Sequence, residues 1–179
     1  MESERLILLP WEESDAPVLF RYASEPEIGI RAGWAPHRSV EDSLEVIRTV
    51  FNNDRTWAMH LKETGEIIGC MGYMVKGESN VEIAQDEAEA GYWVAKPYWN
   101  KGFCSEALNL LKDYCFKVKG FRTLWCTFFI DNPASGRVME KCGFRFTGKT
   151  RYCDFLYGGS QRPVKIMRLD NNFKKDSRI

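Results

Sequence analysis

The chain's chemistry is concentrated between Glu89 and Leu108, EAGYWVAKPYWNKGFCSEAL, where an apolar run meets a loop containing Pro97 and Gly102 and then a helical apolar pattern. A helix start offers backbone N–H groups without intrahelical partners and the positive end of the helix dipole. The backbone of Asn100, Lys101, Gly102, Phe103, Cys104 and Ser105 is therefore suited to hold a pyrophosphate. A plain strand-turn-helix connection has the same local pattern, because a single glycine is a weak signature. Cys104, beside Lys101, is either an activated thiol or simply a small residue that lets an anion approach.

Candidates for proton transfer are few. His37 falls in a loop before a capped helix and His60 in an alternating strand, so both read as structural or solvated. Carboxylates are left. Residues 77–95 hold Glu78, Glu82, Asp86, Glu87 and Glu89 with no Lys or Arg, a run that is either a solvated loop or an attractor for a cationic amine. The six cysteines form no CxxC pair, so no metal site or disulfide framework is expected.

These residues must be positioned by a fold that the periodicity outlines. Strand 5–9 precedes a helix capped by Ser14/Asp15 and ended by Pro26, and a second helix spans 40–51 behind Ser39-Val-Glu-Asp42. Strands over 57–61 and 67–75 form a hairpin, strand 89–95 follows, and Ser105 opens a helix that Gly120 ends. Strand 124–130 leads to Asn132-Pro133, the N-cap and first residue of a helix closed by Gly143, and two strands near 146–157 and 164–169 complete the chain. A helix between strands 89–95 and 124–130 makes those two parallel neighbours, with ligand entering beside their C-terminal ends.

With 179 residues, 44% of them hydrophobic, the chain can bury one core, and one domain over 1–179 is expected. Lys+Arg and Asp+Glu both number 25, without the basic excess that a nucleic-acid partner requires. No apolar run approaches the roughly 18 residues of a membrane span, and the N-terminus is acidic, so no membrane association is expected and the location is read as cytoplasmic.

Tyr98-Trp-Asn-Lys-Gly-Phe-Cys-Ser-Glu-Ala107 resembles the acetyl-CoA signature of the GNAT N-acetyltransferases, and Glu4–Trp11 with the Asn132–Phe144 block is similar to the RimJ/RimL branch, the ribosomal-protein N-terminal acetyltransferases. Trp99 stands where the superfamily has Gln or Arg, Asn100 where relatives often have Gly, and Cys104 at a Gly/Ala position; none of these removes a backbone donor. The resemblance implies an α/β (α+β) GNAT fold: a mixed, mostly antiparallel sheet with one parallel, splayed strand pair and helices on both faces. It implies that Trp93 and Val94 offer backbone groups to pantetheine, that the Val94 N–H holds the developing oxyanion, worth about 3–4 kcal/mol in acyl transfer, and that Asn132 contacts pantetheine from the facing side. Asn132 has an alternative reading as a helix cap.

The resemblance further implies an N-acetyltransferase in which a primary amine, a protein N-terminus or a small amine, attacks acetyl-CoA directly, with no metal. Glu89 matches the family's glutamate base and Asp154 is the second base candidate, while Ser135 matches the serine near the sulfur. Met139 occupies the place where most members carry a proton-donating tyrosine, which keeps open the alternative of an acyl-CoA-binding module without turnover. A homodimer is left open.

Overall fold

The computed structural model describes residues 1–154 and 161–172. In chain order the elements are β1 (Leu6–Pro10), α1 (Ala16–Ala23), α2 (Pro26–Ala32), α3 (Val40–Val46), β2 (Thr56–Leu61), β3 (Ile67–Met74), β4 (Glu87–Val94), α4 (Phe103–Asp113), β5 (Thr123–Phe129), α5 (Pro133–Lys141), β6 (Arg145–Asp154) and β7 (Gln161–Asp170). The seven strands form one sheet in the order β1-β2-β3-β4-β5-β7-β6. All neighbours are antiparallel except β4 and β5, so the expected mixed sheet with one parallel pair is present.

Apolar residues of α4 and α5, among them Leu108, Leu111 and Met139, pack on one face with Leu6, Met59, Met71 and Leu124. Leu19 of α1, Ile28 of α2 and Ile47, which directly follows α3, pack with Ala58, Ile67 and Trp93. Helices thus cover both faces, and each fully buried Leu, Ile or Met contributes about 1.5–3 kcal/mol through lost contact with water. Close approach at Gly69 tightens the β3–β4 pair, where a Cβ would press into the Trp93 carbonyl.

Helix α1 ends at Ala23, before Pro26 as expected, but Pro26 is also the first residue of a helix not foreseen, α2, where a missing N–H costs nothing. Two local expectations are corrected. Helix α4 opens at Phe103 with Gly102 as its N-cap, two residues before Ser105. Asn132 precedes α5 as foreseen, but its side chain caps nothing and donates instead to the Arg31 carbonyl at 3.4 Å. The stretch 155–157 of the expected sixth strand lies outside the described residues.

Candidate active site

The parallel pairing of β4 with β5 runs from Glu87–Thr123 only to Ala90–Cys126, whereas β5 stays paired to β7 as far as Phe129–Val164. Beyond Ala90, β4 keeps β3 on one side and a gap on the other. This is the expected splay. The Ala95 N–H donates to the Ile68 carbonyl on the β3 side at 2.8 Å. Since main-chain groups alternate in direction along a strand, Trp93 also addresses β3, while Tyr92 and Val94 turn their N–H and C=O into the gap. Trp93, expected to offer backbone groups there, lines the cleft but turns its main chain to β3 instead. The Val94 carbonyl accepts the Trp99 indole N–H at 2.7 Å, a contact that fixes the loop leaving β4.

The gap widens into a cleft of about 480 Å³ reached by Trp93, Val94, Asn100, Gly102, Phe103, Cys104 and Ser105, with Asn132 and Ser135 on the opposite side. Asn100 (φ 62°) and Gly102 (φ 83°) adopt left-handed backbone, which turns neighbouring N–H groups into a concavity leading into the first turn of α4. Lys101 is brought close but not into the cleft. Its carbonyl accepts from Arg5 Nη1 at 3.1 Å and its ammonium lies 5.5 Å from the centre of the Tyr98 ring.

Distant residues hold the cradle in place. Glu106 in the first turn of α4 accepts from Ser3 Oγ at 2.7 Å and from the Arg5 main chain and Nε at 2.8 and 2.7 Å. Burial pulls the Glu106 carboxyl upward, but these bonds and the Arg5 charge outweigh it and hold the group below its ordinary range. Tyr22 and Tyr98 both donate to Glu66, at 3.1 and 2.6 Å, tying the loop to the β2–β3 hairpin. Burial pushes the Cys104 thiol up, so this residue is the small neighbour of the cradle and not an activated nucleophile.

A second cleft of about 270 Å³ lies on the other side of Tyr92 and Ser135. Glu89 is in its floor, 1% exposed, and accepts hydrogen bonds on both oxygens: from Ser79 Oγ (2.8 Å), the Asn80 main chain (2.6 Å), Asn80 Nδ2 (3.4 Å) and Thr127 Oγ1 (2.8 Å). Asp154 lines the same cleft from the exposed end of β6, with Gln161 Nε2 at 3.2 Å. Met139 is buried against it.

Part of the acidic run around Glu89 is paired with two cations remote in sequence. Arg55 meets Glu78 at 2.9 Å, and Arg122 meets Asp86 and Glu87 at 2.9 and 2.8 Å. Glu87 is buried under the Trp125 indole, which donates to it at 3.0 Å. Neither histidine lines either cleft. His37 bonds Ser43 Oγ at 2.8 Å, and burial lowers its pKa.

Tyr92, Arg31, Arg137 and Lys141 also line the first cleft, and sequence reasoning passed over all four. The i, i+4 spacing of Arg137 and Lys141, which puts both cations on one side of α5 with Ala134 and Val138, was the available signal. No local pattern distinguishes Tyr92 from any other strand aromatic.

A strand gap continued by the open end of a helix and by two cations suits a long anionic carrier, and the adjoining carboxylate-floored cleft suits an amine: the architecture is that of an acyl transferase. Residues 5–145 match the family described as acetyltransferase (GNAT) domain, and the chain belongs to this family. It is 29% identical over 156 residues to the uncharacterized N-acetyltransferase YoaA of Bacillus subtilis, covering 84% of this chain and 85% of that one. To the ribosomal-protein-serine acetyltransferase of Escherichia coli it is 28% identical over 123 residues, 66% of this chain and 65% of that protein, in keeping with the RimJ/RimL-like branch. The fold is similar to that of spermidine N-acetyltransferase from Vibrio cholerae in complex with CoA and spermine, with TM-score 0.76, 20% identity and coverage of 94% and 97% of the two chains. Among the described residues, no helix is long and apolar enough to cross a membrane.

Proposed function

We propose that the protein acetylates a primary amine, with acetyl-CoA in the first cleft and the acceptor in the second. The carrying observation is that the two clefts meet at one wall, formed by Arg31, Ala32, Tyr92 and Ser135, which line both. Transfer by direct attack needs such a meeting point and no covalent intermediate on the protein.

In this reading the N–H groups from Asn100 to Ser105 hold the pyrophosphate, assisted by Arg137 and Lys141, and the gap-facing main chain of Tyr92 and Val94 aligns the pantetheine. The Val94 N–H polarises the thioester carbonyl. An acceptor α-amine, with pKa about 7.7–8.0, or a lysine- or polyamine-like amine near 10.4, must lose a proton before or during attack. Thr127 lines the second cleft and already donates to Glu89, so a proton released to this hydroxyl or to a water beside it passes to the Glu89 carboxylate. Asp154 at the rim is the second candidate. Six unpaired thiols suit a reducing compartment, which supports a cytoplasmic setting, and a single sheet shared by both apolar clusters supports one domain.

Among acceptors, the E. coli relative is named for a ribosomal protein and the V. cholerae structure for spermidine. The test is thiol release from acetyl-CoA across N-terminal peptides, polyamines, amino acids and aminoglycosides. Release with one class identifies the acceptor; CoA binding without release from any of them favours a binding module.

A further inference from the structure

The wall between the clefts carries a pair of hydroxyls that the proposed reaction has so far used only in part. Of its four residues, Ala32 has no side-chain polar atom and the Arg31 guanidinium does not give up a proton in proteins. Tyr92 and Ser135 are left. Tyr92 Oη lies 3.0 Å from Ser135 Oγ and 3.2 Å from the Ser135 carbonyl oxygen, so its one hydrogen can be donated to either and the phenol is seated on the first turn of α5. Met139, one turn further along α5 and almost wholly buried, cannot supply a proton.

We propose that Tyr92 is the proton reservoir for the departing CoA sulfur, acting through Ser135. This rests on the acetyl-CoA reading above. As the amine nitrogen bonds to the acetyl carbon and the C–S bond breaks with its electron pair going to sulfur, the Ser135 hydroxyl gives its proton to the sulfur and takes the phenolic proton of Tyr92. The proton lost by the amine goes to Glu89, then by water to the phenolate, so amine and thioester become amide and thiol with the protein unchanged.

Serine alone is a poor source, because its alkoxide is a far stronger base than a thiolate; a phenol behind it is the more acidic of the two hydroxyls and lowers that obstacle, although its burial works in the opposite direction. Burial raises the Tyr92 hydroxyl well above its ordinary range, which keeps it protonated. The titratable groups that act on the phenol, Cys104, Cys126 and Cys142, are themselves pushed up by burial and stay neutral, so no neighbouring thiolate competes for its proton.

The test does not require the acceptor. Bound CoA is titrated by its thiolate absorbance in wild type, Tyr92→Phe, Ser135→Ala, Ser135→Thr and the Tyr92→Phe/Ser135→Ala double variant, with calorimetric CoA binding and thermal melting alongside. Because a hydroxyl that accepts one hydrogen bond donates a stronger one, Tyr92→Phe is expected to reduce the thiolate fraction of bound CoA about threefold to tenfold at a given pH, with CoA affinity within about twofold of wild type. Ser135→Ala should do at least as much, the double variant no more than Ser135→Ala, and Ser135→Thr should restore the wild-type titration. A wild-type titration in folded Tyr92→Phe, or additive effects in the double variant, would overturn the relay. Absence of CoA binding to the wild-type protein would instead remove the cofactor reading, and the relay with it.

Discussion

The first cleft presents main-chain donors from consecutive residues of one strand-loop-helix segment, whereas the second is walled by side chains from β4, β5, β6, the 79–80 loop and the ends of α2 and α5. Backbone donors do not depend on residue type, provided the backbone can adopt the required angles, and this explains why Trp99, Asn100 and Cys104 can depart from the family pattern. The second cleft depends on identity at each position. Replacing Glu89 there would leave Ser79, Asn80 and Thr127 without their common acceptor. A cofactor shared by a family fits the first kind of site, and an acceptor that differs between members fits the second.

The largest expected effect that bears on this contrast is at Glu89. Glu89→Gln keeps the shape but replaces an oxygen by an amide donor, and turnover should fall at least about 100-fold, more steeply at low pH where the amine is protonated. CoA affinity, measured by calorimetry, should stay within about twofold. Thr127→Val, which removes one donor and the hydroxyl route, should reproduce a smaller part of the loss. An unchanged pH–rate profile in Glu89→Gln would move the base to Asp154 or to solvent.

Next comes Gly102→Val. A non-glycine residue in left-handed backbone costs about 1–2 kcal/mol, and more for a β-branched one. The cradle should open and CoA affinity fall about tenfold or more. Wild-type affinity in the folded variant would show that the pyrophosphate does not lie on this loop.

The smallest effect is expected from Arg137→Ala with Lys141→Ala, because both side chains are exposed and screened. CoA affinity should weaken a few-fold at low ionic strength, and the difference from wild type should vanish as salt is added. A loss of affinity independent of salt would mean that α5 cations bind as directly as the backbone does, and the contrast between the clefts would narrow.

Residue order alone marked Asn100 to Ser105 as a candidate cradle and outlined most of the strands and helices around it, because strand, loop and helix start are contiguous and each is specified by local periodicity and by Gly102; the family was legible through the resemblance of Tyr98–Ala107 and of the flanking blocks. It also marked Glu89, Ser135 and Asp154 as candidates, through the resemblance. The sequence did not reveal that Trp93 turns its backbone to β3, since this depends on which neighbour β4 pairs with. Nor did it reveal that Pro26 begins α2, because Pro suits both the stop of one helix and the first residue of the next. The pairing of Glu78 with Arg55 and of Asp86 and Glu87 with Arg122, and the Tyr92–Ser135 contact across 43 positions, belong to tertiary structure alone. Charge pairing and hydrogen bonding act over a few ångströms in space, and only the closing of the sheet brings residues so far apart in sequence within that reach.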